Sequence, residues 1–141
     1  MTRCVLDSSV ALAWVLPGEG DQATEQLLDE VAAAGAAAPG LWPLEIGNVL
    51  LQAEKAKRIT SVERRQALAT LAGLPVQIDP DTAAQAWSRT LGLAETQKLT
   101  LYDASYLELA LRLALPLASL DRKLRQAAAA SGVELLGQAA A

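Results

Sequence analysis

The sequence predicts a single α/β domain built on a parallel sheet. The chain has 141 residues, a length ordinary for one domain. It is 52% hydrophobic and 20% charged, too apolar for disorder and ample for one core. Short apolar segments at 3–7, 36–38, 75–78, 117–120 and 133–136 alternate with stretches bearing helix start and stop signals. No internal repeat or linker divides the chain, so 1–141 reads as one unit with an Ala-rich tail from about residue 137.

Taken in order, 3–7 reads as a short buried strand ending in an acid. Ser8 and Ser9 are good N-caps for a helix over 10–16, stopped by Pro17 and Gly18. A second helix fits 21–34, from Asp21 to the stop at Gly35. Ala36–Ala38 is weak by propensity but sits between helices as an inner strand does. Pro43 suits the first turn of a third helix, running to about Arg58. Thr60 and Glu63 make a capping box for a fourth helix, to Gly73. A strand at 75–78 precedes a helix over 81–93, opened by Pro80. Thr100 and Asp103 repeat the capping-box spacing before an apolar helix to Leu115. After the strand at 117–120, Asp121 opens a helix to Ser131, Gly132 stops it, and 133–136 is the last strand.

Composition excludes several chemistries. The chain has no histidine, which removes Ser-His-Asp and Cys-His catalysis and imidazole metal sites. Its one cysteine, Cys4, permits no intrachain disulfide and reads as an inert buried thiol. The net charge of −4 argues against a broad basic surface for nucleic acid. No apolar run reaches the length of a membrane span, and the start has no stretch suited to a signal peptide, so the expectation is a soluble cytoplasmic protein.

Four acids stand apart: Asp7, Glu45, Asp103 and Asp121. Asp7 and Asp121 follow strands; Glu45 and Asp103 lie in first helical turns. In a parallel sheet helices begin at the carboxyl edge of the strands, so all four are expected on one edge, where α/β folds bind ligands. Each alone reads equally well as a helix cap or dipole partner, worth about 0.5–2 kcal/mol. Together they repel one another and lose solvation. No Lys or Arg lies within three residues of Asp7, Glu45 or Asp103. A divalent cation is the simplest remedy, and all-oxygen ligands select a hard ion, Mg²⁺ or Mn²⁺. An ion so held keeps water, which can be activated to attack phosphate.

The segments Val5-Leu6-Asp7-Ser8-Ser9, Pro43-Leu44-Glu45-Ile46-Gly47-Asn48, Leu101-Tyr102-Asp103-Ala104-Ser105-Tyr106 and Ser119-Leu120-Asp121-Arg122-Lys123-Leu124, in this order and spacing, resemble PIN-domain ribonucleases. The likeness is nearest to the VapC toxins of bacterial toxin–antitoxin pairs. It implies a sheet of four or five strands with the first strand central and helices on both faces. It implies a Mg²⁺- or Mn²⁺-dependent endoribonuclease with Asp7, Glu45, Asp103 and Asp121 as its acids and metal ligands, Asp7 and Asp103 the most direct. Ser119 stands where the family places a hydroxyl before the last acid, to hold a carboxylate or water. Asn48, one turn after Glu45, is positioned to orient it. The resemblance also implies a VapB-type antitoxin and a homodimer.

Arg122, Lys123 and Arg125 read either as a solvated helix face or as contacts to RNA phosphates. Trp14, Trp42 and Trp87 read as core or interface, and Tyr102 and Tyr106, at helical spacing, as packing. A haloacid-dehalogenase-like phosphatase needs an acid where Ser9 stands, and a receiver domain needs acids clustered near its start. A housekeeping PIN nuclease in RNA processing shares the same site. A non-catalytic regulatory PIN-like partner remains if the acids do not converge.

Overall fold

The computed structural model describes residues 4–138. Arg3, in the first expected strand, and residues 139–141 of the Ala-rich tail lie outside them. Five short strands form one all-parallel sheet: β1 (Cys4–Leu6), β2 (Ala36–Ala38), β3 (Val76–Ile78), β4 (Leu117–Ala118) and β5 (Leu135–Leu136), in the order β3-β2-β1-β4-β5. β1 is central, with Val5 registered against Ala37 on one side and Leu117 on the other. Residues Cys4–Leu6 are fully buried, as expected of a strand covered on both faces.

The helices α1 (Ser8–Val15), α2 (Gln22–Ala34), α3 (Trp42–Lys55) and α4 (Ser61–Ala72) connect β1 to β2 and β2 to β3, and pack on one another. The return from β3 to β4 runs through α5 (Thr82–Gln85), a π-helical turn (Ala86–Thr90), α6 (Leu91–Gln97) and α7 (Leu101–Leu113); α8 (Arg122–Ala130) then joins β4 to β5. The π turn, α6, α7 and α8 form the second packed group. Connections running in opposite directions along a sheet, all right-handed, cover opposite faces. The chain leaves β1 towards β2 and leaves β4 towards β5. The point between β1 and β4 is therefore the topological switch, where parallel α/β sheets open a crevice at their carboxyl edge.

Several local expectations shift. Ser8 and Ser9 are not caps: Asp7 occupies the N-cap position of α1, with no side-chain cap bond, and both serines lie inside the first turn. The helix expected to end at Leu93 continues to Gln97, interrupted by the π turn. The third helix ends at Lys55. Ala36–Ala38 does form a strand, because its small side chains are buried between helix layers and tertiary packing overrides propensity. The capping boxes at Asp21–Thr24 and Thr60–Glu63 form in full. At Thr100 only one half forms, the Asp103 N–H donating to the threonine hydroxyl, so the Asp103 carboxyl does not turn back on its own helix. Trp42 and Tyr106 are core, and the Trp14 indole donates to Thr24 O at 2.7 Å. Trp87 and Tyr102 are not: they are 88% and 67% exposed.

Candidate functional site

The β1–β4 switch point carries Asp7 and the segment Ser119–Asp121. Asp7 immediately follows β1 and is only 4% exposed. Its Oδ2 accepts from the hydroxyls of Ser9 at 2.6 Å and Ser119 at 2.8 Å. The Ser119 Oγ in turn accepts from the Asp121 N–H at 3.0 Å, and the Ser9 Oγ from the Leu120 N–H at 2.9 Å. Two serines thus tie the end of β1 to the loop that begins α8. Gly137, at φ 105°, lets the end of β5 pass close by; a Cβ there would lie 3.4 Å from Ser119 O.

Glu45 lies in the first turn of α3 and accepts from the Tyr106 hydroxyl, which reaches it from α7. Asp103 lies in the first turn of α7, and Asp121 caps α8 by accepting from the Leu124 N–H at 2.9 Å. Desolvation pushes the Asp7 carboxyl up to about 6, against the lowering bonds from Ser9 and Ser119 and with further repulsion from Glu45 and Asp103. Glu45 is raised by burial and by Asp103, and lowered by Tyr106. Asp103 is raised by burial and by Asp121, and lowered by the Thr100 hydroxyl and by Lys123. Burial beside Asp7 and Glu45 raises the Tyr106 phenol, which stays protonated and donates. Asp7 therefore feels the charges of Glu45 and Asp103, Glu45 that of Asp103, and Asp103 that of Asp121.

The other expected residues fall differently. Arg122 and Lys123 are exposed in the first turn of α8, Lys123 on the side of Asp103. Arg125 points elsewhere: its Nη1 donates to Ser119 O at 2.7 Å and Leu136 O at 2.9 Å, clamping β4 to β5. Asn48 is exposed, and Glu45 is held by Tyr106 rather than by Asn48. Sequence reasoning missed Ser9, taken for a cap, and Tyr106, taken for packing alone. It also missed a buried ion cluster in which Arg112 donates to Glu108 within α7 and to Asp79 after β3, at 2.9 and 2.6 Å. A cavity of about 490 Å³ between α2 and β5 includes none of the four acids in its lining.

The donor set suits a hard divalent ion. It is all oxygen, with Asp7 buried and the other three acids partly exposed, and among the described residues none of the four acids forms an ion pair with Lys or Arg. Among the described residues no three acids already stand in the arrangement of a formed metal site. Holding one ion with all of them would require Glu45, Asp103 and Asp121, which are partly exposed, to rotate towards Asp7. Also among the described residues, no helix is long and apolar enough to cross a membrane.

The solved structures similar to this chain share its architecture. PAE2754 from Pyrobaculum aerophilum aligns at 23% identity with a TM-score of 0.69, over 95% of this chain and 90% of that one. FitAcB from Neisseria gonorrhoeae aligns at 16% identity with a TM-score of 0.64, over 95% and 96%. A toxin–antitoxin complex from Klebsiella pneumoniae aligns at 21% identity with a TM-score of 0.53, over 84% and 86%. A comparison with curated proteins found no match. The family model for the PIN domain matches residues 4–130, nearly the whole described chain. The PIN domain is a nuclease fold whose members generally use divalent metal ions. By this match this chain belongs to the PIN-domain family.

Proposed function

We propose that this protein is a metal-dependent endoribonuclease, the toxin of a toxin–antitoxin pair, acting in the cytoplasm. The observation that carries the reading is a set of carboxylates at the sheet's switch point, raised by burial and by repulsion from neighbouring acids, with none of the four acids in an ion pair with Lys or Arg among the described residues. Asp7, Glu45, Asp103 and Asp121 hold Mg²⁺ or Mn²⁺, with Asp7 and Asp103 the most direct ligands. Such an ion supplies positive charge to offset what develops on a phosphodiester during hydrolysis.

The chain's own residues do the rest. Ser9 and Ser119 fix Asp7, and Tyr106 fixes Glu45. Lys123, beside Asp103, and Arg122 meet phosphate oxygens at the rim. The exposed ring of Tyr102, next to Asp103, offers a face to a splayed base, which favours single-stranded RNA.

The partner assignment is supported by the Klebsiella pneumoniae neighbour, itself a toxin–antitoxin complex. A VapB-type antitoxin that brings an Arg or Lys side chain to the four acids would replace the ion with a cation of its own. The active form is a homodimer. The test is expression with and without the neighbouring gene, followed by mapping of cleaved RNA ends. Cleavage dependent on Mg²⁺ or Mn²⁺ and suppressed by that gene supports the proposal. Metal-dependent cleavage indifferent to any neighbour points instead to a housekeeping nuclease.

A further inference from the structure

The bonds around Asp7 fix the direction of every proton involved. A backbone N–H only donates, so the Ser9 Oγ must accept from Leu120 and the Ser119 Oγ must accept from Asp121. A serine hydroxyl has one proton. In each case that proton is left for the oxygen on the other side, Asp7 Oδ2, at 2.6 and 2.8 Å. Two donors fill the two lone-pair directions of Oδ2. Oδ1 accepts from no described residue. Among the described residues Trp42 Nε1 is the only fully buried side-chain polar atom left without a partner, so Oδ1, in a side chain otherwise buried, keeps a small exposed surface.

We infer that Ser9 is a positioning residue for Asp7: with Ser119 it reserves Oδ2, so that Asp7 presents Oδ1 alone to a divalent ion. The inference rests on the nuclease reading of these acids and adds how one of them is aimed. Ser9 is suited to the role because it sits two residues past Asp7, where the first turn of α1 brings its hydroxyl back over the carboxyl. Its link to Leu120 also makes the aim of Asp7 depend on the β4–α8 loop, which carries Asp121. An acid gripped through one oxygen keeps its plane and charge direction while its neighbours rotate onto the ion.

The test uses the intact chain and Mn²⁺ alone, by titration calorimetry and by crystals grown with Mn²⁺. Wild type is expected to bind with Asp7 coordinating through Oδ1 only. Ser9→Ala should weaken Mn²⁺ binding about tenfold or more, the usual scale for losing a partner that orients a ligand, and should let Oδ2 into the coordination sphere. Ser9→Thr, which keeps the hydroxyl, should restore affinity and geometry. Wild-type affinity and Oδ1-only coordination in Ser9→Ala would overturn the inference while leaving the nuclease reading intact. So would a folded Ser9→Thr that fails to restore either. Should Ser9→Ala not fold, the wild-type crystals still decide, because coordination through Oδ2 or both oxygens refutes the inference. A wild type that takes no Mn²⁺ removes the nuclease reading and the inference together.

Discussion

Replacing Asp7 by Asn separates a functional acid from a structural cap. Burial holds the Asp7 carboxyl up to about 6, against an ordinary value of 3.8. Between these pH values the native state binds more protons than the unfolded chain, so stability falls as pH rises through the window. The full stabilisation is present below about pH 4, and above about pH 6 the folded protein has lost about 3 kcal/mol by ionising this group. Asparagine resembles the protonated acid. Its amide oxygen can accept from Ser9 and Ser119 as Oδ2 does, and no helix-cap bond is lost because Asp7 makes none. In chelator at pH 8, Asp7→Asn should therefore be more stable than wild type by up to about 3 kcal/mol, or about 10 °C in Tm for a domain of this size. At pH 4 the two should converge. Thermal melts from pH 4 to 8, with chelator and with Mn²⁺, read this directly. Added metal binds the ionised acid of the folded chain alone, so its stabilisation of wild type should grow with pH and shrink in the variant. A variant less stable than wild type at pH 8 without metal would show instead that the Asp7 carboxylate serves the fold.

Asp103→Asn should abolish phosphodiester cleavage while leaving the circular dichroism spectrum unchanged; wild-type turnover would remove Asp103 from the ligand set. Arg112→Ala should cost about 3 kcal/mol in urea unfolding, because Glu108 and Asp79 are left buried without their cation. The bond from Arg112 holds the Asp79 carboxyl below its ordinary value, so this stabilisation is present above the unfolded value and is lost as pH falls below it; a variant as stable as wild type at neutral pH would contradict it. Tyr102→Ala should weaken binding of a single-stranded oligoribonucleotide to the Asp7→Asn protein by about 1 kcal/mol or more in fluorescence anisotropy. The salt dependence of that binding should be shallow, with a slope of about −0.7 for each of the few phosphates met. A steep slope would mean an extended basic track that a chain of net charge −4 does not offer.

The acids were legible because two simple patterns coincide in them: an acid just past an apolar strand, and an acid in a first helical turn of a parallel α/β chain. Their surroundings were not. Ser9 precedes an apolar run and so reads as a cap, yet the helix starts at Ser8, two residues earlier than expected, and the Ser9 hydroxyl turns to Asp7. Tyr102 and Tyr106 are four apart and read alike, but Tyr106 is fully buried against Glu45 while Tyr102, in the first turn, projects beyond the packing layer. The Arg112–Asp79 pair spans 33 residues and joins a helix to the end of a strand, and no local periodicity reports a contact of that kind. The π turn at Ala86–Thr90 is equally silent, since its residues carry ordinary helix propensities.

The fold contains its own control for the meaning of these carboxylates. Asp79 and Glu108 are buried acids too, with side chains 7% and 3% exposed, and the chain brings Arg112 to both. Asp79 is accordingly held below its ordinary value. At the switch point the opposite is done. Asp7 is as deeply buried, its neighbours are acids, and its two partners are neutral hydroxyls. Arg125, which lies close enough to donate to Ser119 O, turns its guanidinium to backbone carbonyls rather than to Asp7. Arg125, beside Ser119, is thus engaged in holding β4 to β5, and Asp7, Glu45 and Asp103 stay raised. Buried acids that serve only as structure lose nothing by acquiring a guanidinium partner, as Asp79 and Glu108 illustrate. Acids that must receive a divalent ion lose their function if one is supplied, which is why neutral donors, able to orient a carboxylate without neutralising it, are the partners that suit Asp7.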